Sequence, residues 1–151
     1  MAFKHVNKGV KRVDAYEKVT GKAKFGADME FANMLQAKVL RTEYPHAKIL
    51  EIDTAEAEKM PGVKGVFTAE DIPNNLFGVI VQDQQVLAED KVLLAGDGVA
   101  MAVAETEAQA AAALEKIQVK YEELEGIFDP LEARKEGALK LHPEKEDNQV
   151  I

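Results

Sequence analysis

The chain has 151 residues, enough for one domain with a buried core but too few for two large domains. Apolar residues make up 46% and charged residues 30%, the balance of an ordinary globular protein, which excludes a disordered chain. No cysteine is present, which excludes disulfides and thiolate sites, and the formal net charge of −8 opposes binding to a phosphate backbone.

The first predicted elements follow a Lys- and Gly-rich beginning. Residues 1–30 show little periodicity, which predicts an extended arm that lies against another surface. Regular structure is expected from Asn33, where residues 35–39 alternate between apolar and polar and predict a half-buried strand. Tyr-Pro-His at 44–46 predicts a turn. The apolar run at 49–52 predicts a second strand.

The next segment predicts a short helix and a short strand. Asp53 is expected to cap the helix, with Glu56 placed for a reciprocal capping exchange. The helix is expected to end at Met60, because the Pro-Gly pair that follows cannot continue it. Residues 63–67 predict a strand and residues 68–71 a helical turn.

Residues 74–90 carry polar and glycine signals around one apolar stretch, at 79–81. They predict a long loop with a short strand inside it. Long loops in compact domains often serve a partner or a ligand.

The clearest unit is a strand, a helix and a second strand. Residues 99–104 are apolar on both faces and predict a central buried strand. Thr106 offers a helix cap with Gln109 three residues later. The helix places four apolar side chains on one stripe: Ala110, Ala113, Leu114 and Ile117. Residues 117–122 then alternate as a strand, and 131–135 predict a short helix. The composite is an α+β domain, a mixed sheet with a few helices packed on it, with a right-handed crossover if the two strands are parallel.

Two glycine motifs resemble phosphate-binding loops, and neither has the required context. Gly96-Asp97-Gly98 precedes a buried strand instead of opening a helix, so a tight turn is the better interpretation. Gly21-Lys22 lacks both the earlier glycine and the following hydroxyl residue of a phosphate loop.

Candidate proton-transfer and metal-binding groups are scattered. Three carboxylate pairs are predicted to be solvated surface: Glu70/Asp71, Glu89/Asp90 and Glu122/Glu123. His46 is either an acid–base group or, as a residue in a turn, a structural hydrogen-bonding group, and we favour the structural role. The three histidines have no metal-type spacing: His5, His46 and His142.

The basic residues cluster near the start: Lys4, Lys8, Lys11, Arg12, Lys18, Lys22 and Lys24. Asp14 and Glu17 interrupt this cluster, so we interpret it as a solvated arm and expect no nucleic-acid partner. No apolar run approaches the length of a membrane span, and residues 1–5 lack a signal-peptide pattern. A cytoplasmic protein without a membrane partner is expected.

Beyond these patterns, an ordered set of segments resembles the beginning of the large subunits of molybdenum hydroxylases, the xanthine dehydrogenase/aldehyde oxidase family. The similar segments are 12–28, 40–49, 52–57, 61–63, 67–73, 85–92, 96–97, 103–106, 119–124 and 128–132. Each segment alone is weakly specific for the family, whereas the whole set in this order, from Arg12 to about His142, is strongly specific.

The resemblance implies an α/β hammerhead fold and a parent enzyme that hydroxylates a heteroaromatic or aldehyde carbon with oxygen from water. It implies a molybdenum–molybdopterin centre elsewhere in the full-length subunit, and iron–sulfur clusters, often with FAD, on partner chains. The residues that bind the pterin and act as the base in that family lie downstream, so we expect no catalytic, cofactor-binding or metal residue here. One departure is Gly98, where the resemblance leads us to expect proline.

The predicted organisation is an N-terminal arm at 1–30, a hammerhead domain at 31–142 and the start of a linker to a missing molybdopterin-binding domain at 143–151. The start is expected to be native and the end artificial. Residues 1–30 and 74–97 are then the predicted contacts with the missing protein.

Three functions remain open at this point. The leading hypothesis is a structural and subunit-contact domain that is inactive alone. The alternatives are a free-standing, non-catalytic adaptor module with the same fold and a small enzyme that uses His46 or a carboxylate pair.

Overall fold

A computed structural model describes residues 9–79, 82–142 and 146–149. The chain divides into two compact units, Met1–Met34 and Leu35–Ile151. In the first unit, residues Ala15–Val19 form helix α1 and Gly26–Asp28 form a 3₁₀ turn. The proposed division into arm, hammerhead domain and linker stays a prediction.

Helix α1 lies within residues 1–30, where the sequence predicted no regular element. Asp14 precedes the helix and forms ion pairs with Arg12 and Lys18, at N–O distances of 2.5 and 2.6 Å. The Thr20 hydroxyl donates a 2.6 Å hydrogen bond to the Tyr16 carbonyl at the other end. No residue of α1 is buried, so the helix leaves no hydrophobic period in the sequence that could have predicted it.

The second unit contains eight strands and three helices among the residues that the structure describes. The strands are β1 Gln36–Arg41, β2 Ala47–Asp53, β3 Val63–Phe67, β4 Leu76–Phe77, β5 Gln84–Gln85, β6 Lys91–Val92, β7 Gly98–Ala104 and β8 Gln118–Glu123. The helices are α2 Ala55–Glu58, α3 Glu107–Leu114 and α4 Pro130–Ala133, and Ala69–Asp71 forms a 3₁₀ turn. Within the described ranges, no helix combines the length and apolarity that a bilayer-spanning segment needs.

The strands form two three-stranded sheets, in the orders β1-β7-β3 and β6-β2-β8, and a β4-β5 hairpin. The strand pairs found in the described part of the chain are antiparallel. The predicted strand–helix–strand unit is present as β7, α3 and β8, but its two strands belong to different sheets. The handedness rule for parallel crossovers therefore does not apply, while the α+β class is confirmed.

The core is made of small side chains in two clusters. The first cluster lies between the β1-β7-β3 sheet and the helices: Ala57, Ala100, Ala102, Ala113 and Ile117. The second lies at the other sheet: Ala47, Ala88, Val92 and Val99. Ile52 and Val119 pack against both clusters and so connect them. Alanines at these positions allow the helices and sheets to approach closely.

Helix α3 is capped as predicted. The Thr106 hydroxyl accepts a hydrogen bond from the Gln109 amide at 3.2 Å, and the Gln109 side chain accepts one from the Thr106 amide at 3.0 Å. Ala110 and Ala113 are fully buried and Leu114 packs against the first core cluster, which confirms these three members of the predicted stripe. Ile117 is nearly buried but lies beyond the end of α3 at Leu114. The predicted strands at 63–67 and 117–122 and the helical turn at 68–71 are also confirmed.

Two local predictions are corrected. Leu35 and Ala37 were expected on the buried face of β1, but both are exposed, and Leu40 is the strand residue that packs on the first core cluster. At α2, the N-cap residue is Thr54 and not Asp53, although the Asp53 carboxylate accepts a hydrogen bond from the Ala55 amide at 3.0 Å. Glu56 forms an ion pair with Lys59 instead of completing a capping exchange.

The predicted loop at 74–90 contains the β4-β5 hairpin, whereas the strand expected at 79–81 falls partly outside the described residues. Asn75 fixes the base of this hairpin. Its side-chain amide donates to the Leu87 carbonyl at 2.8 Å, and its side-chain oxygen accepts from the Leu87 amide at 3.1 Å. The Ala88 amide then donates to the Gly98 carbonyl at 2.7 Å, which ties the loop to β7.

Candidate functional site

The Gly96-Asp97-Gly98 motif is a tight turn, as predicted. Gly96 has a φ of +99°, in the region that favours glycine. The Asp97 carboxylate accepts from the amides of Leu93 and Leu94 at 2.8 and 3.0 Å. The backbone amides of Gly96 and Asp97 donate to the carbonyls of Thr42 and Leu94 at 2.8 and 3.1 Å, so these amides are not free to bind a phosphate.

Gly98 has a packing reason to be glycine. A methyl group placed on Gly98 would lie 3.0 Å from Val39 Cγ1 and 3.2 Å from Leu87 Cδ2. Any side chain would therefore press on two apolar neighbours. This close packing accounts for glycine where the resemblance suggested proline.

Gly21-Lys22 lies in the C-terminal turn of α1. Gly21 has a φ of +70°, and the Lys22 amide donates to the Glu17 carbonyl at 2.8 Å. A phosphate loop needs amides at the start of a helix, whereas here the glycine follows one. The rejection of this motif is confirmed.

His46 is a buried structural residue. It is only 4% exposed, and its Nδ1 lies 2.6 Å from the Glu125 carbonyl oxygen. Because a carbonyl can only accept, Nδ1 must carry the proton and donate it. The other ring nitrogen, Nε2, is buried and has no hydrogen-bond partner among the residues that the structure describes. An enclosed nitrogen cannot reach a substrate, so the geometry supports the structural interpretation of His46.

Two tyrosines form an aromatic pair beside an open groove. The rings of Tyr44 and Tyr121 are 4.9 Å apart between centroids and tilted by 44°. They line a concavity of about 300 Å³ together with Thr42 and Val119. Burial raises the pKa of the Tyr121 hydroxyl, while a hydrogen bond with Thr42 opposes that rise. The groove is open to solvent, and the charged residues Arg41 and Glu43 also line it.

The carboxylate pairs are surface groups. All six carboxylates of the three pairs are exposed, which confirms the prediction that they are solvated. Asp71 accepts from the Thr68 amide at 2.8 Å, and Glu122 lies 3.4 Å from Lys48 Nζ. These contacts serve a turn and a cross-strand pair.

No cluster of three His, Asp or Glu groups that would hold a metal ion occurs in the described ranges. The larger concavity is lined mainly by exposed charged residues around α2: Glu56, Lys59, Met60, Pro61, Glu115, Lys116 and Gln118. A molybdenum–pterin centre needs an enclosed, polar pocket that binds its phosphate and ring atoms. The described residues do not fit such a group.

Sequence reasoning missed the Tyr44–Tyr121 pair and the Asn75 clamp. The two tyrosines are 77 positions apart and meet only because β2 pairs with β8, a register that no local pattern reveals. The side-chain amide of Asn75 forms hydrogen bonds with the backbone of Leu87, 12 residues later. An Asn at the start of a predicted loop was the one available signal for that contact. His5 lies outside the described residues.

Comparison with known proteins places the chain in a family. Residues 20–125 match the family model described as aldehyde oxidase and xanthine dehydrogenase, a/b hammerhead domain. A probable xanthine dehydrogenase subunit from Bacillus subtilis (strain 168) is 48% identical over 141 residues, 93% of this chain and 18% of the relative. The large molybdopterin subunit of nicotinate dehydrogenase from Eubacterium barkeri is 40% identical over 98% of this chain and 35% of that protein.

Solved structures agree with this assignment. Aldehyde oxidoreductase from Desulfovibrio gigas superimposes with a TM-score of 0.80 and 36% identity, over 88% of this chain and 16% of that structure. A Cu,Mo-CO dehydrogenase superimposes with a TM-score of 0.81 and 34% identity, over 93% and 18%. The chain thus spans about a sixth to a third of the length of these relatives. It belongs to the a/b hammerhead domain family of aldehyde oxidases and xanthine dehydrogenases.

Proposed function

We propose that the chain is the hammerhead domain of the molybdopterin-binding large subunit of a molybdenum hydroxylase, where it acts as a scaffold and contact domain. The observation that carries this proposal is the family match over residues 20–125, in relatives several times longer than the chain. The open grooves and exposed carboxylates support a non-catalytic role, since an active site needs enclosed and convergent groups.

The parent enzyme is proposed to hydroxylate a heteroaromatic or aldehyde carbon with oxygen taken from water. The names of the relatives support this reaction class, because they include a xanthine dehydrogenase, a nicotinate dehydrogenase and an aldehyde oxidoreductase. The molybdenum–molybdopterin centre is proposed to lie in the remainder of the subunit, with iron–sulfur clusters and FAD on partner chains. Catalytic, cofactor-binding and metal residues are proposed to lie outside this chain. The cytoplasmic location stays a prediction.

The experiment is to purify the 151-residue chain from a host that makes molybdopterin. Molybdenum content, pterin fluorescence and dye-linked oxidation of xanthine, nicotinate and benzaldehyde are then measured. We expect no stoichiometric pterin and no turnover. One equivalent of pterin bound to the folded chain would overturn the scaffold role. Turnover by the chain that is lost in its His46→Gln variant would favour a small enzyme.

The predicted contact segment at 74–97 supports a docking role. Leu87, Ala88 and Val92 of this segment are buried in the core, but five of its large apolar side chains are exposed: Leu76, Phe77, Val79, Val86 and Leu94. Exposed apolar side chains concentrated in one segment are typical of a surface that another protein covers. Strong amide-exchange protection of this segment and of 9–30 in the isolated chain would argue against contact with further protein.

A further inference from the structure

The central strand β7 has two very different faces. Ala100, Ala102 and Ala104 are fully buried against the helix side, whereas Met101 and Val103 are only half-buried. A strand flanked by hydrogen-bonded neighbours on both sides is normally covered on both faces when both faces are apolar. One face of this sheet is therefore left open in the part of the chain that the structure describes.

The strand register defines the open face. Val39 of β1 and Phe67 of β3 both lie opposite Met101, and Ala37 and Gly65 both lie opposite Val103. Directly paired residues project to the same side of a sheet. We call this surface the open face, and its residues are Ala37, Val39, Gly65, Phe67, Met101 and Val103. These six residues have no charged or hydrogen-bonding side chain, and Ala37 and Phe67 are exposed. Arg41, which pairs with Gly98, borders this surface at the end of β1 and donates to the Gly96 carbonyl.

The open face continues into the segment at 74–97. Leu87 Cδ2 and Val39 Cγ1 lie 3.2 and 3.0 Å from the position that a Cβ atom on Gly98 would occupy, so these two side chains are close together. Leu87 itself is only 3% exposed, so this loop covers the end of the open face nearest Val39. The remainder, from Met101 to Phe67 and Val103, stays open.

Resting on the proposed function, we propose that the open face is the docking surface for the remainder of the same long subunit, which presents an uncharged apolar surface to it. About four fifths of the Bacillus subtilis relative lies outside the matched region, so enough further chain exists to cover the sheet. A wholly apolar patch suits a permanent interface within one polypeptide better than a transient contact, whose surfaces are more polar. A second copy is disfavoured, because each chain carries a net charge of −8 and two copies repel.

The test uses a chimera, the Bacillus subtilis relative with its matching stretch replaced by this chain. Ala37→Glu and Phe67→Glu each place a carboxylate on the open face. Burying this carboxylate without a partner costs free energy, so we expect the domain to separate from the remainder of the chimera. We expect thermolysin to cut the junction, the segment that joins this chain to the remainder of the chimera, at least about tenfold faster in both variants. Leu50→Glu, on the exposed side of β2, is the matched control and should leave the rate unchanged within about twofold, since Leu50 is 60% exposed.

Folding of each variant is checked in the isolated chain by circular dichroism. Ala37 is already exposed on an edge strand, so Ala37→Glu decides the test alone if Phe67→Glu unfolds. Junction cleavage that is the same in Ala37→Glu, Leu50→Glu and the unmodified chimera would overturn the docking surface. An isolated chain that sediments as a dimer, dissociated by Ala37→Glu, would assign the face to a second copy and also overturn it. An unmodified chimera that aggregates would count against the proposed function itself, and the inference falls with it.

Discussion

Shortening Val99 tests whether the core is as tightly packed as its burial indicates. Val99 and Val92 are the largest fully buried side chains of the described chain, and Val99 lies in the central strand β7. Val99→Ala removes two methyl groups, which costs about 1.6 kcal/mol of transfer free energy at about 0.8 kcal/mol per group. A residual cavity of about 40 Å³ adds about 1 kcal/mol at about 24 cal/mol per Å³. We expect the free energy of unfolding to fall by about 2.5 kcal/mol.

The matched control is Val103→Ala, the same substitution in the same strand. Val103 is half-buried on the open face, so its methyl groups are already partly hydrated. We expect a loss of about 1 kcal/mol or less, because little apolar area is newly exposed and no closed cavity forms. Any change of strand propensity is common to both variants and cancels in the comparison.

The assay is urea unfolding followed by circular dichroism at equilibrium. For a chain of this size, a loss of about 2.5 kcal/mol corresponds to a Tm lower by about 5–10 °C. The slope of the free energy against urea should stay constant if the native state keeps its compactness. Equal losses in Val99→Ala and Val103→Ala would refute the reasoning, since the fully buried and the half-buried valine of β7 would then be equally well packed.

Three further changes probe other contacts. Ala113→Leu forces a larger side chain between α3 and the β1-β7-β3 sheet, and we expect it to lower the free energy of unfolding by about 1–3 kcal/mol in the same urea assay. Thr106→Ala removes the cap of α3 and should lower the free energy of unfolding by about 1 kcal/mol. Thr106→Ser keeps the hydroxyl and should retain most of that stability, and equal losses in the two variants would exclude the cap as the cause. Burial raises the pKa of Tyr121, so its neutral form stabilises the fold fully below pH 10.0, the ordinary value, and that stability is lost as the pH rises through the raised pKa. Tyr121→Phe should therefore lose less stability above pH 10.0 than the wild type, and equal losses of stability above that pH would contradict the assignment.

Local patterns predicted the elements whose residues interact within a few positions. The cap of α3 depends on Thr106 and Gln109, three residues apart, and the stripe of α3 depends on the helical period, so both could be read from the sequence. Strand β7 was recognised as central because it is apolar throughout. The helix Ala15–Val19 has no buried residue and left no period to detect.

Contacts between distant segments could not be predicted, because they depend on strand register. The side of β1 that faces the core was assigned from alternation alone, and alternation does not say which face the rest of the chain covers. Leu35 and Ala37 are the apolar set that stays exposed, while Leu40 packs inward beside Ala100. The half-buried hydrogen bond from His46 to the Glu125 carbonyl likewise depends on the pairing of β2 with β8.

The alanine-rich core and the open face connect the stability of the domain with its proposed docking. A core made mostly of alanines buries little apolar area per residue, and the open face leaves half of the central strand partly hydrated. A domain of this kind has a small free energy of unfolding, to which a bound neighbour adds directly. A partner present at about 100 times its Kd would contribute about 2.7 kcal/mol, comparable to the loss expected from Val99→Ala. In the chimera, the loss of stability caused by Val99→Ala should therefore be offset by docking, and Ala37→Glu should abolish that compensation while leaving the isolated chain unchanged.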